Sequence, residues 1–138
     1  MIPEDLYRRI REVLPIPCVD VAIVHRRRLL LLRRSRPPLL GEFWLPGGRL
    51  RRGEALEAAA IRKAREEASL EIRLVAQLGT FSTVFDDRHT VNVTWLAEPV
   101  ADEPVVTLDR DHDEFAWHDL ADPLGDEYLE RIARLLRE

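Results

Sequence analysis

The 138-residue chain has one cysteine, Cys18, and no apolar run near the ~18 residues that a membrane-crossing helix needs. A lone cysteine has no partner for an internal disulfide, so a reducing, cytoplasmic setting is expected. Its place in a strand-like run marks Cys18 as a small buried hydrophobe rather than a reactive thiol. The first residues lack the apolar core of a secretory leader, and no membrane partner is expected. Internal repeats and low-complexity linkers are also missing, which favours one folding unit over residues 1–138. Charge of one sign is not in large excess. The formal net charge is −4, which argues against the whole surface serving as an electrostatic platform for nucleic acid. The basic residues cluster all the same, as HRRR (25–28) and RRSR (33–36) on either side of LLLL (29–32).

Hydrophobic patterning gives the rest of the organisation. EDLYRRIREVL (4–14) places Leu6, Ile10, Val13 and Leu14 on one helical face, and PIP (15–17) stops the helix. Residues 18–34 read as two strands joined by a basic turn, and 35–44 as a loop leading to a short strand. Strand patterns return at 71–85, 90–100 and 114–120, with a turn at 86–89. LGDEYLERIARLLRE (124–138) is an amphipathic helix with Leu129, Ile132, Ala133 and Leu136 on its apolar side. Strands and helices mix without regular alternation. An α/β fold with a central mixed β-sheet and helices on its faces fits better than a doubly wound parallel sheet.

The chemistry concentrates in LPGGRLRRGEALEAAAIRKAREEASL (45–70). Gly47 and Gly48 permit backbone shapes closed to other residues and close approach of a ligand to the main chain. Glu54 is expected to open a helix of strong helix formers. Within it Lys63, Glu66 and Glu67 fall at i, i+3 and i+4, on one face. Two carboxylates near a loop carbonyl suit a hard ion such as Mg²⁺, which commonly accompanies phosphate substrates. The same residues form the i, i+4 pairs Arg62–Glu66 and Lys63–Glu67, as a solvated helix surface often does, and both readings stand at this level.

The spacing resembles the Nudix box: Gly, five residues, Glu, seven residues, Arg-Glu, an aliphatic residue, any residue, Glu-Glu, any residue, Gly, an aliphatic residue. Gly48, Glu54, Arg62, Ala64, Glu66, Glu67 and Leu70 fall in register. Lys63 stands where that family has a metal-binding Glu, and Ser69 where it has Gly. The resemblance implies a Nudix-type α/β/α sandwich and a MutT-like hydrolase acting on nucleoside diphosphate derivatives.

Within that superfamily the chain looks like the GDP-mannose mannosyl hydrolase branch, whose box is degenerate at the same Glu. VDVAIV (19–24), SRPPLLGEFWLPGGRL (35–50), FDD (85–87) and DHDEFAW (111–117) carry this likeness in order and spacing. The branch implies water attacking the anomeric carbon of a nucleoside-diphosphate sugar, with release of the diphosphate and free sugar. Carried over residue by residue, His112 matches the general base. Arg36 and Arg49 match arginines on the leaving diphosphate, and Arg62 is placed to reach the same phosphates or to orient Glu66. The metal, Mg²⁺ or Mn²⁺, falls to the Gly47 carbonyl and Glu67, with Asp111 and the additional acid Glu66. Asp20 matches a nucleotide-binding acid, or is a strand residue with a structural hydrogen bond. The branch departs at Thr83, where it has His, and at Asn92, where it has Tyr. It also implies a homodimer, for which the N-terminal helix is the candidate element. His25, His89 and His118 are expected to be structural or exposed. Trp44, Trp95 and Trp117 are expected in the core, with one of them, Phe43 or Phe81 available to stack on a base. Two other activities remain open: a pyrophosphohydrolase cleaving a P–O bond of a nucleoside diphosphate derivative or triphosphate, and a non-catalytic nucleotide- or RNA-binding module.

Overall fold

The computed structural model describes residues 2–138. Its elements are α1 (Glu4–Val13), β1 (Ile16–His25), β2 (Arg28–Arg34), β3 (Phe43–Trp44), β4 (Gly47–Arg49), α2 (Leu56–Ala68), β5 (Ile72–Phe85), β6 (Arg88–Pro99), β7 (His112–Asp119) and α3 (Glu127–Arg137). The strands run in the order β3-β2-β1-β6-β5, with β4 also pairing β1 and β7 also pairing β2. β1 and β6 are parallel over Ile16–Ile23 and Thr90–Ala97, and the other pairs are antiparallel. The expected mixed sheet is therefore present.

Two cores explain the apolar runs. Successive strand residues point to opposite faces, so a strand covered on both sides reads as continuous hydrophobe. Val21 and Ile23 of β1, with Leu30 and Leu32 of β2, pack under Ala60, Ala64 and Ala68 of α2. Ala22 of β1, with Leu29 and Leu31 of β2, packs instead under Tyr128, Leu129 and Ile132 of α3. The LLLL run thus feeds both layers of an α/β/α sandwich. Small alanines let α2 lie close to the sheet, which brings the residues flanking that alanine stripe near β1 and β4.

Several boundaries differ from the sequence expectation. α2 begins at Leu56, not Glu54, because Glu54 is drawn into an ion pair with Arg62. β1 starts at Ile16, so the PIP segment ends α1 and opens the strand at once. β7 starts at His112 rather than at 114. α1 buries none of its residues: Leu6, Val13 and Leu14 are exposed, and only Tyr7, Ile10 and Arg11 turn partly inward. Trp95 is buried, whereas Trp44 and Trp117 are only half-buried.

The stretch expected as a Gly-Gly loop is strand β4, with Gly47 opposite Asp20 and Gly48 opposite Val19. Neither glycine has a positive φ. Their need for glycine is one of space. A Cβ on Gly47 would meet Asp20 Oδ1 and come within 2.5 Å of the Val19 carbonyl oxygen. A Cβ on Gly48 would lie 2.9 Å from Lys63 Cε. The box's last glycine position is occupied by Ser69, which caps α2 in the left-handed region at φ 57° and donates from Oγ to the Thr107 carbonyl at 3.0 Å.

Gly47→Ala is accordingly expected to cost ~3 kcal/mol of stability, because its neighbours are backbone and a buried carboxylate. Gly125→Ala, with nothing within 4 Å of the added carbon, should stay within ~0.5 kcal/mol. Urea unfolding of the two variants checks the contrast.

Candidate active site

A cleft of about 300 Å³ opens where α1, β4, α2 and the start of β7 converge. Its floor is the middle of β1. Asp20 is 3% exposed, and its Oδ2 accepts hydrogen bonds from Asn92 Nδ2 at 2.8 Å and Tyr128 Oη at 2.7 Å. Asn92 sits on β6, in register with Cys18 two residues before Asp20, so the donor amide is set by sheet pairing. Burial pushes the Asp20 carboxyl up to about 6 despite these two bonds. Cys18, beside it, is buried and its thiol is pushed up to about 12 by burial and by Asp20, which is an inert thiol.

The box residues form the next layer. Glu67 is 4% exposed, and its Oε1 accepts from the Gly47 N–H at 2.9 Å. Its Oε2 lies 3.3 Å from Lys63 Nζ. Burial raises the Glu67 carboxyl, while Lys63, the Gly47 N–H and His112 oppose that rise. Glu66 does not share this face. It is bound by Arg62 at 2.9 Å and lies 3.6 Å from Arg51, outside the cleft lining. Adjacent helical residues differ by about 100° in direction, and the alanine stripe turns Glu67 inward and Glu66 outward. Arg62 likewise serves structure. It holds both Glu54 oxygens at 2.7 and 2.9 Å and the Arg49 carbonyl at 3.1 Å, locking the loop before α2 to the helix. That pairing holds the Glu54 carboxyl down at about 2.

The opposite wall comes from the entry into β7. His112 is 6% exposed and its Nδ1 is 2.7 Å from Asp109 Oδ1. Glu67, Asp109 and His112 each present a ligand atom within 4.8 Å of the others. Two carboxylates and an imidazole form a donor set that suits a divalent ion. The Lys63 ammonium against Glu67 leaves a second cation at that oxygen unfavourable. Asp111, expected as a ligand, is paired with Arg36 at 2.9 Å. Asp111 lines the cleft, whereas Arg36 stays at its rim, more than half exposed. Arg49 enters the cleft with its guanidinium stacked 3.9 Å from the Tyr7 ring centroid.

Asp109, Tyr7, Arg11, Arg34 and Arg88 escaped the sequence reading. Only Asp109 had a local signal, an acid three residues before the candidate histidine. The cations Arg11, Arg34, Arg49, Lys63 and Arg88 line the cleft against the acids Asp20, Glu67 and Asp111. A chain that is net acidic thus surrounds this cleft with a cationic excess, the electrostatics of a phosphate-binding site.

This fold, the box spacing and the cationic cleft define the class, and comparison with known proteins agrees. The chain belongs to the NUDIX family: the profile of the NUDIX domain matches residues 14–138. It is 35% identical over 85 residues to the low-salt glycan biosynthesis protein Agl8 of Haloferax volcanii, covering 62% of this chain and 54% of that one. It is 31% identical over 91 residues to an ADP-ribose pyrophosphatase of Methanocaldococcus jannaschii, covering 64% of this chain and 54% of that one. The alignments span about half the length of these two relatives. Among solved structures, a MutT NUDIX hydrolase from Burkholderia pseudomallei superposes with a TM-score of 0.75 at 30% identity, covering 87% of this chain and 95% of the other. No helix among the described residues is long and apolar enough to cross a membrane.

The Asp20 carboxyl makes a pH signature. Its folded value of about 6 lies above the ordinary carboxyl value of 3.8, so its ionisation costs stability as pH rises from ~4 through ~6. Relative to Asp20→Asn, the wild type should lose ~1–3 kcal/mol across that window. Urea unfolding at pH 4 and pH 7 for both proteins measures the difference, which should be small at pH 4 and larger at pH 7.

Proposed function

We propose that this chain hydrolyses a nucleoside-diphosphate sugar by attack of water on the anomeric carbon, releasing a nucleoside diphosphate and the free sugar. The observation that carries the reading is the buried imidazole of His112 in a cleft with a cationic excess, its Nδ1 lying 2.7 Å from Asp109 Oδ1 behind it. An imidazole whose Nδ1–H is held by a carboxylate keeps the lone pair of Nε2 free, the arrangement of an oriented general base. In the proposed step Nε2 takes a proton from water as the water oxygen bonds to the anomeric carbon. The bond between that carbon and the bridging oxygen breaks, and its electron pair leaves with the diphosphate.

Arg49 and Arg34 face the departing charge from the cleft, with Arg36 at its edge. A Mg²⁺ or Mn²⁺ ion held by Glu67 and Asp109 would supply further neutralisation of the diphosphate. Gly47 positions Glu67 through its N–H, and Asp111 aligns Arg36. Asp20 shapes the floor on which the nucleoside half of the substrate rests. Similarity to a glycan biosynthesis protein supports a sugar nucleotide as the substrate class.

Similarity to an ADP-ribose pyrophosphatase supports a second reading, cleavage of a P–O bond within the diphosphate. Hydrolysis of GDP-mannose in ¹⁸O-labelled water separates the two. Label in mannose, with GDP as co-product, is expected, whereas label in a phosphate, with GMP and mannose 1-phosphate, would establish the second. His112→Ala and Glu67→Gln should each lower kcat by ~10²-fold or more, measured by product release under saturating substrate.

A further inference from the structure

We propose that Lys63 is a tethered cation for the linked phosphates, so that diphosphate binds this cleft without any divalent ion. The inference rests on the phosphate-binding reading of the cleft and adds a specific consequence of the one box position where a base replaces an acid.

Four observations carry it. Lys63 lines the same cleft as Gly47, Gly48, Arg49 and Glu67, with its side chain 17% exposed. The ammonium stem lies in the space that Gly48 leaves open, since a Cβ there would be 2.9 Å from Cε and 3.1 Å from Nζ. Its ammonium lies near two carboxylate oxygens, Glu67 Oε2 at 3.3 Å and Glu66 Oε1 at 3.5 Å. An ammonium has three donors, which leaves donor capacity for a phosphoryl oxygen in the cleft. Glu67, finally, has both oxygens in contact with protein donors before any ion arrives. A carboxylate at 63 would add negative charge beside Glu67 and require a metal to offset it. A lysine inverts that local field, offsets Glu67 itself and faces phosphate directly. The position therefore trades affinity for a free divalent ion against affinity for phosphate.

The sequence makes the test direct, because Lys63 is its one lysine. In the wild-type protein with EDTA, inorganic pyrophosphate should slow acylation of Lys63 by an amine-directed reagent, read by mass spectrometry, by about tenfold. In EDTA, Lys63→Met should weaken pyrophosphate binding by about tenfold in calorimetry, whereas Lys63→Arg should change it by less than about threefold. Lys63→Glu, with no phosphate present, should bind Mn²⁺ about tenfold tighter than the wild type, read by the electron paramagnetic resonance of free Mn²⁺. Unprotected Lys63 in the wild type, or unchanged pyrophosphate binding in a folded Lys63→Met variant, would overturn the proposal. Product identity is independent of these readouts. Label appearing in phosphate would refute the glycosyl-cleavage reading and leave the tethered cation standing, and unprotected Lys63 with label in sugar would do the reverse.

Discussion

The site depends on one buried carboxylate. Glu67 sits at 4% exposure with the Gly47 N–H on one oxygen and the Lys63 ammonium near the other. A charge in that position must be met by donors, because removing a partner from a buried ion leaves an uncompensated penalty of several kcal/mol. Meeting it constrains three elements at once. β4 must lie against β1 so closely that Gly47 has no room for a side chain. α2 must approach the sheet through alanines. The loop before α2 must be held by the Arg62–Glu54 pair, which fixes where the helix begins. The geometry of the cleft is the joint solution of these requirements.

Behind that first layer lies a second polar group of the same kind. Asp20 is satisfied by Asn92 and Tyr128, and Tyr128 also meets Thr94 Oγ1 at 2.6 Å. These residues come from β1, β6 and α3, so the network ties the middle of the sheet to the helix on the far face. A fully bonded buried network of this type fixes register, since a slip of one residue would strand its polar members in the core. The cleft floor is therefore pinned from three elements at once.

Much of the architecture was legible in the sequence because it rests on local periodicity. The four leucines at 29–32, the alanine-rich helix and the amphipathic last helix each carry their own pattern, and the spacing from Gly48 to Leu70 fixed the loop–helix unit. What was not legible depends on distant parts of the chain meeting. Asn92 and Tyr128 reach Asp20 across 72 and 108 residues, and the segment carrying Asp109 and His112 meets Glu67 only because β7 pairs with β2. Spacing alone placed Glu66 beside Glu67. The alanine stripe 60-64-68 contains the information that separates them, since Glu67 follows Ala60 and Ala64 at i+7 and i+3 while Glu66 follows Arg62 at i+4. Glycines 47 and 48 were legible as special but for the wrong cause: crowding, rather than backbone torsion, selects them.

The contact between Arg49 and the Tyr7 ring has a thermodynamic corollary. α1 buries no residue of its own, and one of its links to the body of the protein is a guanidinium that faces the cleft. Occupancy of the cleft and docking of this terminal helix are consequently coupled, and the coupling is reciprocal. Whatever anchors the helix pre-pays part of the ordering of Arg49, and a ligand that engages Arg49 alters the helix's tendency to detach. A ligand drawn to Arg49 would thus be felt at Tyr7, on a helix that lies outside both cores.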